Sequence, residues 1–153
     1  MKPIEITALT LACRFIGVAE AAGTASNPAV LAMLQLDQKW PVDDDVPWCS
    51  GFANYVAWLL ELPRSKSLAA RSWLSIGRAV GIHEAEPGFD VVVFKRGDGP
   101  QPGAEVLQAS GHVAFYMARK PGLVQVVGGN QGDAVTVASY PISRVLGIRR
   151  IRE

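Results

Sequence analysis

The sequence predicts an α+β domain, with helices in the first half and an antiparallel sheet in the second. Apolar residues recur at helical spacing up to about residue 60, and the period changes to two after Pro87-Gly88. The strands that follow are joined by turn signals rather than crossover helices, which argues an antiparallel sheet. A chain of 153 residues is one domain's worth, so 1–153 reads as a single domain.

Each element has its own signal. Residues 4–19 are apolar on nearly every side, with Leu9, Ala12, Cys13 and Ile16 at helical spacing, and Gly23 lies beyond the end. Asn27-Pro28 restarts a helix, Asn as cap and Pro at the first helical position, running to about Leu36. Residues 41–47, with two prolines and three aspartates, are irregular. Cys49, Phe52, Ala53, Val56, Leu59 and Leu60 then share one helical face, and Pro63 stops that helix. A shorter helix is expected over 67–74. Strands are expected over 91–95, 112–119, 123–127, 134–140 and 145–152. Lys120-Pro121-Gly122 and Asn130-Gln131-Gly132-Asp133 are the turns. Residues 96–111 form a long loop, a length often tied to function.

Charge and cysteine content narrow the function. Fifteen Lys and Arg against fourteen Asp and Glu give a net charge of +1, so no nucleic-acid partner is expected. No apolar run is long enough for a membrane span, so no membrane insertion is expected. Glu5 and Arg14 interrupt the N-terminal apolar stretch, so synthesis in the cytoplasm without a signal peptide is the expectation. Two cysteines make no disulfide framework.

The two cysteines differ in setting. Cys13 lies within an apolar helical stretch and reads as a core residue. Cys49 opens a helix, where unpaired amides and the helix dipole favour a thiolate. It is a candidate nucleophile, with helix-face packing as the plain alternative. A thiolate needs a base, and the base needs an orienter. His112 opens a strand after Gly111 and can reach out of the sheet toward a helix end, whereas His83 reads as a surface loop residue. Asn130 follows the hairpin partner strand, and its carbonyl could fix the imidazole tautomer. Asp43, Asp44 and Asp45 read as a solvated loop capping the helix that follows. No zinc spacing and no phosphate-binding glycine loop are present in the sequence.

Four segments together resemble the CHAP family of cysteine- and histidine-dependent amidohydrolases and peptidases. They are residues 45–56 around Trp48-Cys49-Ser50-Gly51-Phe52, residues 87–94 beginning Pro87-Gly88-Phe89-Asp90, Gly111-His112-Val113-Ala114-Phe115, and Val126-Val127-Gly128-Gly129-Asn130-Gln131. Residues 15–23 and 70–74 resemble a phage- and prophage-associated, endolysin-type branch of that family. The resemblance implies a papain-like fold, with N-terminal helices packed on a C-terminal antiparallel sheet. It implies a peptidoglycan hydrolase cutting an amide bond, as an N-acetylmuramoyl-L-alanine amidase or an endopeptidase. Cys49 would be the nucleophile, His112 the base and Asn130 the orienter, with no metal or other cofactor. Some relatives carry Glu two residues before the Asn, where this chain has Gly128.

Trp48, Trp73, Glu20 and the 96–111 loop are the expected substrate-groove residues under this resemblance, although each Trp read alone is a core residue. Action as a monomer, and delivery to the wall through a phage holin or by injection, complete the expectation. Two alternatives use the same residues. One is a catalytically silent papain-like module binding wall fragments or a partner; the other is a cysteine peptidase or toxin acting on non-wall peptides.

Overall fold

The computed structural model describes residues 1–97 and 99–153. Three helices, α1 (Ala8–Cys13), α2 (Pro28–Leu34) and α3 (Cys49–Leu59), precede a 3-10 turn over Ala70–Ser75. Six strands follow: β1 (Arg78–Val80), β2 (Asp90–Lys95), β3 (Gly111–Lys120), β4 (Leu123–Gly128), β5 (Thr136–Pro141) and β6 (Val145–Arg150). They form one antiparallel sheet in the order β1-β6-β2-β3-β4-β5. This is the α+β class expected, with β1 as an edge strand the sequence pattern did not announce.

Both faces of the central strands are covered. Val91 and Val93 of β2 join the main core with Phe52, Val56, Trp48 and Trp73, while Val92 and Phe94 face a smaller cluster with Tyr116 and Ile148. That explains why β2 reads as a continuous apolar run instead of an alternation. Burying each such side chain is worth roughly 1.5–3 kcal/mol. The register sets His112 of β3 opposite Phe94 of β2, and α3 packs across β3.

The first helix is much shorter than its apolar pattern suggested. A Thr7–Thr10 capping box fixes its start. Gly17 adopts a left-handed φ of 99°, and residues 17–20 run extended against the chain before β5. Gly17 N–H donates to Val135 O at 3.0 Å, Val135 N–H to Val18 O at 2.8 Å and Glu20 N–H to Asp133 O at 2.9 Å. Apolar residues on all sides of this segment record contact with two surroundings, helices and sheet edge, rather than helix continuity. The expected helix over 67–74 is the 3-10 turn at Ala70–Ser75.

The Asp43–Asp45 loop does not cap α3, whose N-cap is Trp48 with no side-chain cap bond. Asp44 is buried and anchors the preceding chain instead. Its Oδ2 accepts the amides of Ala21 at 2.8 Å and Asn27 at 2.9 Å. Those amides hold the carboxyl below its usual range. Asp90 is likewise structural, forming a forked pair with Arg150 (2.7 and 2.9 Å) and accepting the Glu86 amide.

Candidate active site

Cys49 is the first residue of α3 and is 3% exposed. Burial pushes its thiol pKa up, but the His112 imidazole, as hydrogen-bond partner and as charge, and the amides of Val113 and Ser50 together outweigh this. The net shift is downward, toward thiolate. Cys13 shows the opposite environment: it is half-buried against the core, and burial alone raises its pKa.

His112 projects from the start of β3, and its ring sits beside two aromatics. Phe94 stacks at 6.2 Å between centroids, and Tyr140 of β5 meets it edge-on at 5.4 Å. Its Nε2 lies 2.9 Å from Oε1 of Gln131. The Gln131 amide nitrogen donates to Thr136 O at 2.8 Å, so the amide's orientation follows from both bonds. Oε1 can only accept, so Nε2 of His112 carries the proton. Nδ1 is then the nitrogen left to take the thiol proton.

The imidazole partner is therefore Gln131 and not Asn130. Asn130 sits in the left-handed region at φ 56°, a conformation Asn tolerates better than most residues. That turn swings the next side chain, Gln131, back under the imidazole, where it is 6% exposed. Asn130 instead lines a cavity with His112 and Tyr140. The signal lay in the sequence: in Gly128-Gly129-Asn130-Gln131-Gly132, the Asn suits the turn's φ, leaving Gln as the amide free to reach.

Two glycines make this arrangement fit. A Cβ at Gly128 would lie 2.8 Å from Gln131 Oε1 and 2.8 Å from Ala114 Cβ. A Cβ at Gly129 would lie 2.7 Å from Phe52 Cβ and 2.8 Å from the Trp48 ring. The end of β4 thus presses on the start of α3 with no space for a side chain. A Glu at position 128 would have no room.

The other expected groove residues divide. Trp48 and Trp73 are both fully buried, so neither forms a groove wall. Trp48 Nε1 donates to Glu20 Oε1 at 2.8 Å, and Trp73 Nε1 to Ser50 Oγ at 3.0 Å. Indoles at these positions fill the space between helix and sheet and need only one acceptor each. Glu20 is half-buried, and its main contact is that indole. Burial raises its pKa, the Trp48 bond opposes this, and the charges of Asp133, Asp44 and Asp45 add to the rise. Glu20, Asp44 and Asp45 place carboxylate oxygens within 4.8 Å of one another. Of these three, Asp44 anchors the loop, its Oδ2 already accepting two amides.

The 96–111 loop does reach the site, apart from Asp98, which lies outside the described residues. Its carbonyls at Pro102, Gly103, Val106 and Ser110 accept from Arg71, at 3.0, 2.7, 2.9 and 2.9 Å respectively. Arg71 is fully buried, and this set of acceptors is what makes its burial tolerable. The loop so held contributes Gln108, Ala109 and Ser110 to a cavity of about 300 Å³ that Cys49 also lines. A second cavity, about 150 Å³, lies on the His112 side, with Asn130, Tyr140, Arg96 and Arg144. Arg71, Arg96, Tyr140, Arg144 and Gln131 were not singled out by sequence reasoning.

No family model matches the chain, and no curated protein matches it in sequence. Among solved structures, NlpC1 from Trichomonas vaginalis is similar, with a TM-score of 0.56 at 16% identity. The match covers 98% of this chain and 46% of NlpC1, so the chain spans under half of that protein's length. The chain shares its α+β, papain-like fold with NlpC1.

Proposed function

We propose that this protein is a papain-like cysteine hydrolase that cuts an amide bond in bacterial peptidoglycan. The observation that carries the reading is the Cys49–His112–Gln131 chain, a thiol drawn toward thiolate beside an imidazole whose tautomer is fixed. The fold shared with NlpC1 supports a cell-wall peptidase or hydrolase, and the segments resembling CHAP proteins favour an endolysin-type enzyme, amidase or endopeptidase. Delivery to the wall by holin or injection, and action as a monomer, belong to the same reading.

In the proposed mechanism, Nδ1 of His112 takes the Cys49 proton, and the sulfur attacks the amide carbonyl. The oxyanion forms at the start of α3, where the Cys49 amide is unpaired within the helix. His112 then gives its proton to the leaving amine, and a thioester remains on Cys49. Water, deprotonated by His112, releases the acid and restores the thiol. Gln131 holds the ring and stabilises its charged form without adding a charge.

The test is digestion of purified peptidoglycan by wild type and Cys49→Ala, with mass spectrometry of the soluble products. Wild type is expected to release fragments, Cys49→Ala none, and the new termini identify the bond. Absence of products from folded wild type refutes the wall-hydrolase reading.

A further inference from the structure

The cavity on the His112 side is cationic. Arg96 and Arg144 both line it, and Arg96 also lines the neighbouring Cys49 cavity. No Asp or Glu among the described residues lines either one. Arg144 is held in place: its Nε and one terminal nitrogen point to Lys95 O at 3.3 and 3.0 Å, and its guanidinium lies 5.0 Å from the Tyr140 ring centroid. Among the described residues its other terminal nitrogen, Nη1, has no protein acceptor. A guanidinium fixed along one edge presents its remaining donors as a preorganised site for a carboxylate.

The chemistry says which part of a substrate meets this site. His112 must hand its proton to the leaving amine, so that nitrogen lies within hydrogen-bond reach of the imidazole. The body of the amine-side fragment then occupies the cavity that His112 lines. We propose that this cavity is a carboxylate-binding subsite, in which Arg144 and Arg96 select substrates whose amine-side residue carries a free carboxylate close to the scissile bond. This rests on the hydrolase reading above and adds its substrate class. Amino acids joined through their amine while retaining a carboxylate meet the requirement; amidated or ester-capped equivalents do not.

Cys49 itself can report on the subsite. Site-resolved mass spectrometry gives the alkylation rate of Cys49 with iodoacetate, an anion, and with iodoacetamide, its neutral counterpart. The rate ratio cancels differences in thiolate content between variants. In Arg96→Gln/Arg144→Gln the iodoacetate-to-iodoacetamide ratio is expected to fall about tenfold below wild type, the scale on which clustered charge concentrates a counter-ion. Added salt should lower the wild-type ratio and leave the variant's nearly constant. A ratio equal in both proteins overturns the subsite while leaving a reactive Cys49 intact. A Cys49 inert to both reagents removes the hydrolase reading and the subsite with it.

A second arm uses purified peptidoglycan before and after its free carboxylates are capped as methylamides. Wild type should release product from the capped wall at least about tenfold more slowly, matching loss of a charge-assisted hydrogen bond. The double variant should lose most of that discrimination. Equal cutting of both walls by wild type overturns the proposal.

Discussion

Replacing Gln131 with Met removes the amide that His112 leans on and nearly preserves volume. The lost contact is the 2.9 Å bond to Nε2, which becomes charge-assisted once the imidazole is protonated. A hydrogen bond to a charged group is worth about 1.5–3 kcal/mol. Neutral Nε2–H already makes this bond at about 0.5–1.5 kcal/mol, so the thiolate–imidazolium pair is disfavoured only by the difference of about 1–1.5 kcal/mol, or about 1 pKa unit at about 1.4 kcal/mol per unit. The sign follows from His112: its charged form holds the Cys49 pKa down, so weakening it raises the thiol pKa. The pH midpoint of Cys49 alkylation by iodoacetamide, which His112 holds down in wild type, should move up by that amount. Asn130→Gly, which keeps the left-handed turn at φ 56° and deletes the other amide, should leave the midpoint in place. A midpoint that moves with Asn130→Gly and not with Gln131→Met refutes the assignment of Gln131.

Gly129→Ala should cost about 1–3 kcal/mol, because the new methyl meets Phe52 and Trp48 at 2.7–2.9 Å and neither is a flexible chain end. Thermal unfolding would show it as a lower Tm. Trp48→Phe should lower stability by about 1–3 kcal/mol through lost volume and the lost Glu20 bond. Its KM on wall fragments should stay within about twofold of wild type, since no part of this fully buried indole meets solvent. Arg71→Lys should expose residues 102–110 to limited proteolysis and speed their amide exchange, because an ammonium's three donors cannot span four carbonyls.

The broad plan of this fold is written in periodicity, and its departures have local causes. The β2 run and the Gly-rich turns declare strands because their signals are short-range. The shortened α1 could not be read that way, since Gly17 and Val18 pair with Val135, more than a hundred residues away in sequence. Cys49 and His112 were visible because a thiol at a helix start and an imidazole at a strand start carry chemistry in their type and place. Gln131 was missed by one residue, because the decision turns on a single backbone angle at Asn130. Trp48 and Trp73 drew attention as large aromatics near the motif, yet the α3–β3 interface needed their volume. The role of Arg71 gave no signal beyond its place in residues 70–74: its partners are backbone carbonyls, which any sequence supplies.

The tight seating of β4 against α3 also divides the molecule into parts that can and cannot change. At the floor of the site, one carbon added at Gly128 or Gly129 would collide with Gln131, Ala114, Phe52 or Trp48, and one added at Gly111 would press on Arg71 and Phe94 at 3.0 Å. That floor admits almost no sequence drift. Arg96, Gln108, Ala109 and Ser110, with Tyr140 and Arg144, border open cavities and have room to vary. Redesign for a new substrate would therefore succeed at the rim and fail at the floor, and libraries built on this scaffold should hold the three glycines constant.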